Sequence, residues 1–194
     1  MAATQSTDDK ILTAFSELLF SNGYEGTTTK KIAEQAGVNE STIFRHFQDK
    51  HGILTKLIEG YMADINNISD SFEIKGDIVQ DLMRVAKTYD QFIENHKSLF
   101  LLGLRNGYQF PEIISAIKQL PTHLKAVLIE KFTGMVKTGE LDKDVDLDTA
   151  ATNFILLNFG NAVFKYAYPN AGLYVPMSKF TKENIKEFAE KLKS

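Results

Sequence analysis

The sequence predicts an all-α protein in two parts, and three observations carry that expectation. Apolar residues recur at spacings of three and four along most of the chain, from Ile11 to Leu192. No stretch alternates apolar and polar residues well enough to read as a strand. Glycine, proline and capping residues punctuate the chain where helices would end and begin. The expected division is a three-helix helix-turn-helix domain over residues 1–50 and a larger helical domain over residues 51–194, about nine helices in all.

In chain order, residues 1–6 read as a loose tail, and Thr7 or Asp8 can cap a first helix running to about Asn22. Ile11, Phe15, Leu18 and Leu19 form its apolar stripe, Gly23 ends it, and Tyr24 is a packing residue in the loop that follows. A fourth helix, about Lys50 to Asn67, carries Ile53, Leu54, Leu57, Ile58, Tyr61, Met62 and Ile65 at helical spacing. The polar stretch from Ser69 to Gly76 marks a boundary. Further helices are expected over Asp77–Asn95, Lys97–Asn106, Pro111–Gln119, Pro121–Thr138 and Leu147–Tyr168, with a last one from Thr181, which can cap it, to Lys193.

Between them, Thr27 to His51 reads as two short helices joined by a tight turn. Thr28 or Thr29 can cap the first, which buries Ile32, Ala33 and Ala36. Gly37 supplies the left-handed conformation that closes a helix, Val38 is an apolar plug, and Asn39 can cap the second helix. Ile43 and Phe47, four apart, face inward. Glu40, Ser41, Thr42, Arg45 and His46 remain outward, a dense set of hydrogen-bonding groups for so short a helix. Such a corner occurs in many all-α proteins that never touch DNA. With this surface on its second helix, it is also the shape that enters a major groove. Lys30, Lys31 and Lys50 would flank it where duplex phosphates lie.

The residues Thr28, Thr29, Ile32, Ala33, Ala36, Gly37, Val38, Thr42, Ile43, Phe44, His46, Phe47 and Lys50, at this fixed spacing, resemble the TetR/AcrR family of transcriptional regulators. The resemblance covers roughly the first third of the chain. It departs from the family at two positions: Phe44 stands where Tyr is usual and cannot offer a hydroxyl to the DNA backbone, and Ser41 stands where Gly or Pro is frequent. The resemblance implies double-stranded operator DNA as partner, with Thr28, Thr29, Lys30, Asn39, Glu40, Ser41, Thr42, Phe44, Arg45, His46 and Lys50 as the contacting residues.

Composition bounds the rest. At 194 residues and 43% hydrophobic, the chain can bury a substantial core. Its net charge of −3 gives no global attraction to nucleic acid. Locally, Lys30, Lys31, Arg45, Lys50 and Lys56 outnumber Glu34, Glu40 and Asp49, so binding should be salt-sensitive. Asp8, Asp9 and Glu17 would sit best away from DNA. Cysteine is absent, which excludes disulfides and thiolate sites. The four histidines, His46, His51, His96 and His123, have no metal-ligand spacing, and no nucleophile motif is present, so neither an enzyme nor a metal or other cofactor is expected. No apolar run approaches the ~20 residues that span a bilayer, and no secretory signal opens the chain, so a cytoplasmic location away from membranes is expected.

The helix over Leu147–Tyr168 is apolar nearly all round and so must be buried on nearly all sides. The resemblance implies that it and the Thr181–Lys193 helix pair with their mates in a homodimer whose two-fold axis matches palindromic DNA. It also implies a small-molecule effector in the larger domain, for which Tyr89, Phe92, Phe100, Leu104, Tyr108, Phe110, Phe132, Met135, Phe154 and Asn158 are the candidate lining. Arg105 and His96 could meet a ligand anion or simply be solvated. Asn158 and Asn161 need partners if buried, either a ligand or the second subunit. The expectation is a repressor released by a largely apolar ligand, the fourth helix coupling the two parts. A DNA-binding regulator or architectural protein with no such gate, or a protein-interaction module, is the alternative.

Overall fold

The computed structural model describes residues 5–68 and 75–193. Among these residues the architecture is helical: α1 (Thr7–Gly26), α2 (Thr29–Ala36), α3 (Glu40–Phe47), α4 (Lys50–Ile68), α5 (Ile78–Asn95), α6 (Lys97–Asn106), α7 (Pro111–Ile117), α8 (Gln119–Thr138) and α9 (Leu147–Tyr166). The chain ends in three consecutive pieces, α10 (Met177–Phe180), a π turn (Thr181–Ile185) and α11 (Lys186–Glu190). The expected boundary stretch falls mostly on residues 69–74, and the expected N-terminal tail on residues 1–4; both lie outside the described residues.

The chain forms two compact units, Met1–Ala63 with His96–Ile117 and Asp64–Asn95 with Lys118–Ser194. These units are drawn differently from the sequence division at residue 50, and the packing explains why. The apolar stripe of α1, Ile11, Ala14, Phe15 and Leu19, is wider than two short helices can cover. Helix α6 packs on α1, and Ser16 and Ser98 share a hydrogen bond of 2.7 Å. Tyr24 meets the ring edge of Phe110 at 4.6 Å. Two segments distant in sequence thus complete one core.

Several element ends differ from the sequence reading. Ser6, not Thr7 or Asp8, caps α1: its hydroxyl accepts from the Asp9 N–H at 3.1 Å while the Asp9 carboxylate accepts from the Ser6 N–H at 3.2 Å. Gly23, at φ 70°, breaks the helix as expected, and one more turn follows it to Gly26. The last helical segment begins at Met177, before Thr181. Thr181 is buried and its hydroxyl donates to the Met177 carbonyl at 2.8 Å, so it is an interior residue of the segment and not a cap.

In the second unit, α9 packs against α8 and α5. Phe132 and Phe154 are fully buried there. Lys165 ties α9 to α5 through Asp90 at 3.2 Å and Glu94 at 3.1 Å, and the Tyr166 hydroxyl also donates to Glu94. These contacts hold the Lys165 ammonium well above its usual range; burial opposes the charge, and the hydrogen bonds and carboxylates outweigh it. Asn161 clamps the extended segment after the Pro169–Ala171 3₁₀ turn. Its amide donates to the Val175 carbonyl at 3.0 Å and accepts from the Val175 N–H at 2.9 Å.

Candidate nucleic-acid interface

Helix α2 starts at Thr28, whose hydroxyl accepts from the Lys31 N–H at 3.3 Å. It stops at Gly37, which sits in the left-handed region at φ 67°, ψ 37° and returns its N–H to the Ala33 and Glu34 carbonyls. That turn sets the entry of α3. Asn39 holds the extended cap conformation, but its side chain makes no capping bond, so the expected side-chain cap is absent. The first turn of α3 begins instead from the Asn39 carbonyl, which accepts from the Thr42 N–H at 2.9 Å.

Ile43 and Phe47 anchor α3 in the core, at 0% and 8% exposure. Their burial turns Glu40, Ser41, Phe44, Arg45 and His46 to solvent, with Thr42 half-buried. Phe44 is 51% exposed, an aromatic face held open on the outer side of the helix. Thr28, Lys30 and Asn39 are exposed beside it.

Several of the expected contact residues have side-chain partners within the first unit. The Thr29 hydroxyl donates to the Glu40 carboxylate at 2.5 Å, joining the start of α2 to the start of α3. His46 Nδ1 lies 2.6 Å from the Asp8 carboxylate. Lys50 donates to the Tyr24 carbonyl at 2.9 Å and stands 3.9 Å from the centre of the Tyr24 ring. Burial lowers the Lys50 ammonium below its usual range, with Glu25 opposing, and raises the Tyr24 phenol together with the nearby Asp49. Lys50 is thus half-buried, with its ammonium engaged on Tyr24. Lys31, too, bonds a backbone carbonyl, that of Gly26, at 2.8 Å.

Sequence reasoning missed the far end of α3. Asp8 was expected to sit away from DNA, yet its carboxylate lies 2.6 Å from His46 at the end of α3; nothing in the spacing of residues 8 and 46 signals this contact. Gln48 ends α3 at φ 68°, ψ −51°, and the Asp49 N–H reaches the Phe47 carbonyl at 2.8 Å, a γ-turn. The Asp49 carboxylate then accepts from the Gly52 N–H at 2.8 Å and starts α4. A cleft of about 560 Å³ opens here, lined by Asp8, His46, Gln48, Asp49, His51 and Lys56 among others.

The residues expected to line a ligand pocket are divided between the two units. Phe100, Leu104, Tyr108 and Phe110 belong to the first unit, where Phe110 packs on Tyr24 while Leu104 and Tyr108 are exposed. Tyr89, Phe92, Phe132, Met135, Phe154 and Asn158 belong to the second and are buried. Asn158 donates to the Phe154 carbonyl of its own helix at 2.8 Å. His96 packs against the Tyr61 ring at 5.1 Å, and Arg105 is exposed.

A left-handed glycine turn, a short helix fixed by two buried apolar residues and an outer face of polar and aromatic groups define a helix-turn-helix DNA-binding protein. Comparisons with known proteins agree. Residues 11–57 match the bacterial regulatory proteins, tetR family. The chain is 27% identical over 184 residues to the uncharacterized HTH-type transcriptional regulator YvkB of Bacillus subtilis (strain 168), covering 95% of this chain and 96% of that one. In fold it is similar to GusR of Salmonella enterica, with a TM-score of 0.67 at 18% identity over 98% of this chain and 100% of that one. It is also similar to the transcriptional regulator FadR from Bacillus subtilis in complex with stearoyl-CoA, with a TM-score of 0.68 at 20% identity over 94% and 98% of the two chains. Together these findings support a DNA-binding transcriptional regulator of the tetR type, the family match itself resting on residues 11–57. Among its described residues no helix is long and apolar enough to cross a membrane.

Proposed function

We propose that this regulator is a cytoplasmic homodimeric repressor that binds palindromic operator DNA through α3 and is released by a small, largely apolar ligand. The observation that supports it most is the outer face of α3: Ser41, Thr42, Phe44, Arg45 and His46 are held outward by the burial of Ile43 and Phe47. Two such helices about 34–36 Å apart would meet successive major grooves of one operator.

The dimer reading rests on α9. Leu156 is 59% exposed in the single chain, and Gly160, one turn on, has open space where a side chain would be. Phe164 is half-buried and Tyr168 exposed further along the same stripe. An apolar stripe of this length is best covered by its own copy across a two-fold axis.

The ligand reading rests on the second unit, whose buried residues include the apolar Tyr89, Phe92, Phe132, Met135 and Phe154 and the polar Asn158. The stearoyl-CoA bound to a protein of similar fold makes a long acyl chain the first probe. Helix α4 contributes residues to both units, so a ligand that favours one pose of it would shift the population competent for DNA. A coupling of about 1–3 kcal/mol per ligand would weaken operator binding from several-fold to about a hundredfold.

The test is a mobility shift on the DNA upstream of the protein's own coding region, with and without stearoyl-CoA or a free fatty acid. Retardation relieved by the acyl compound supports the gated repressor. Retardation indifferent to a ligand that calorimetry shows to be bound removes the gate and leaves an ungated DNA-binding regulator.

A further inference from the structure

Beyond the bare exposure of α3, its last turn is built in an unexpected order. His46 Nδ1 lies 2.6 Å from an Asp8 carboxylate oxygen, and His46 Nε2 lies 3.4 Å from Nη2 of Arg45. A carboxylate can only accept and a guanidinium can only donate. For a neutral imidazole one assignment alone satisfies both contacts: Nδ1 carries the hydrogen and gives it to Asp8, and Nε2 is bare and accepts from Arg45. The three groups form a directed chain from α1 to the exposed face of α3. Arg45 would otherwise sweep a wide arc on four rotatable bonds; here one arm of its fork is engaged toward the C-terminal end of the helix.

We propose that Asp8 is a positioning residue for DNA readout and that Arg45 is the specificity residue it serves, presented to a guanine. The proposal rests on the reading of α3 as the groove-entering helix. The guanidinium fork matches O6 and N7 of guanine in the major groove, the commonest specific contact between a side chain and a base. Fixing it beforehand removes part of the ordering cost at binding. Asp8 touches no base. It acts by holding the His46 ring in one tautomer and orientation, as a carboxylate does when it accepts from one ring nitrogen and leaves the other with a defined role.

The arrangement also accounts for an acidic group where duplex phosphates would repel it. Asp8 is half-exposed at the mouth of the cleft that His51 and Lys56 also line. Paired with His46, it costs the interface less than a lone carboxylate would.

The test starts from the full-length protein and a pool of duplexes randomised over their central positions. Selection with the wild-type protein should yield a guanine fixed in each half-site. Arg45→Lys, which keeps the charge and loses the fork, should lower the preference for that guanine about tenfold or more. Asp8→Asn should lower it about two- to tenfold at that same base pair and leave preference elsewhere intact. Asp8→Glu should restore most of it. The ¹⁵N spectrum of the neutral His46 ring should show a protonated Nδ1 and a bare Nε2 in the wild type.

An unchanged base preference in Asp8→Asn overturns the proposal while leaving α3 as the DNA-binding helix. A neutral ring protonated on Nε2 overturns it without reference to DNA, which also covers the case of a variant that does not fold. If the wild-type protein retains no duplex from the pool, the reading of α3 itself fails and the proposal falls with it.

Discussion

Lys50 stands 3.9 Å from the centre of the Tyr24 ring and donates to the Tyr24 carbonyl at 2.9 Å, so one ammonium binds both the face and the backbone of a single residue. Tyr24 in turn meets Phe110 edge to face. The first residue of α4 is thereby fastened to the end of α1 and to the segment before α7. The family resemblance implies a DNA contact here; the geometry assigns the charge a packing role.

Lys50→Ala is accordingly expected to lower stability by about 1–2 kcal/mol, the sum of a half-buried cation–ring contact and one charged hydrogen bond. Urea unfolding at constant salt measures this. In DNA binding the contrast should run the other way. Lys30→Ala, on the exposed start of α2, should reduce the slope of log affinity against log salt by about one, and Lys50→Ala should change that slope little.

The turn after α3 admits two opposite substitutions. A Cβ placed on Gly52 would stand 1.9 Å from the Phe47 carbonyl oxygen, a backbone atom that cannot step aside. Gly52→Ala should cost about 3 kcal/mol or more, as overfilling does. Gln48 holds φ 68°, a conformation that glycine adopts without a side-chain penalty. Gln48→Gly should therefore raise stability by about 0.5–1 kcal/mol. Thermal melts of the two variants check both signs.

Asn161 uses both ends of its amide on Val175. Replacing it with leucine of similar volume leaves a backbone donor and a backbone acceptor without their partner. The expected loss is about 2–4 kcal/mol, read by urea unfolding, with proteolysis of the segment around Val175 rising in parallel.

On α9, Leu156→Glu should convert a dimer into a monomer in sedimentation velocity while the far-ultraviolet circular dichroism stays unchanged. The charge lies on an exposed position of the single chain, so folding tolerates it. An apolar two-fold interface would not.

Much of the fold was legible because helical spacing survives single-sequence reading. The stripe Ile11, Phe15 and Leu19 marked α1, and Gly37 between two capping positions marked the corner, since each is a local consequence of 3.6 residues per turn and of a left-handed turn. What sequence could not supply was contact between distant segments. Asp8 and His46, Ser16 and Ser98, and Tyr24 and Phe110 meet only because α1, α3, α6 and the turn before α7 come together in one unit. The π turn at Thr181–Ile185 left no trace either: it needs no special residue, and a threonine with a free hydroxyl reads as a cap until its i−4 bond is seen. Of the candidate contact set, exposure of α3 followed from Ile43 and Phe47 alone; the seat of Lys50 on Tyr24 did not, because a lysine stem can lie wherever a ring and a carbonyl accept its ammonium.

The central claim is that the outer face of α3 reads duplex DNA. Fluorescence anisotropy of a labelled operator, titrated with wild-type protein and with Ser41→Ala, Thr42→Ala and Arg45→Ala across a range of salt concentrations, tests it most directly. The account predicts salt-dependent binding by all four proteins to non-specific DNA, with losses of about 1–3 kcal/mol on the operator confined to the base pairs each variant no longer reads. Operator affinities indistinguishable from wild type in all three variants would contradict it.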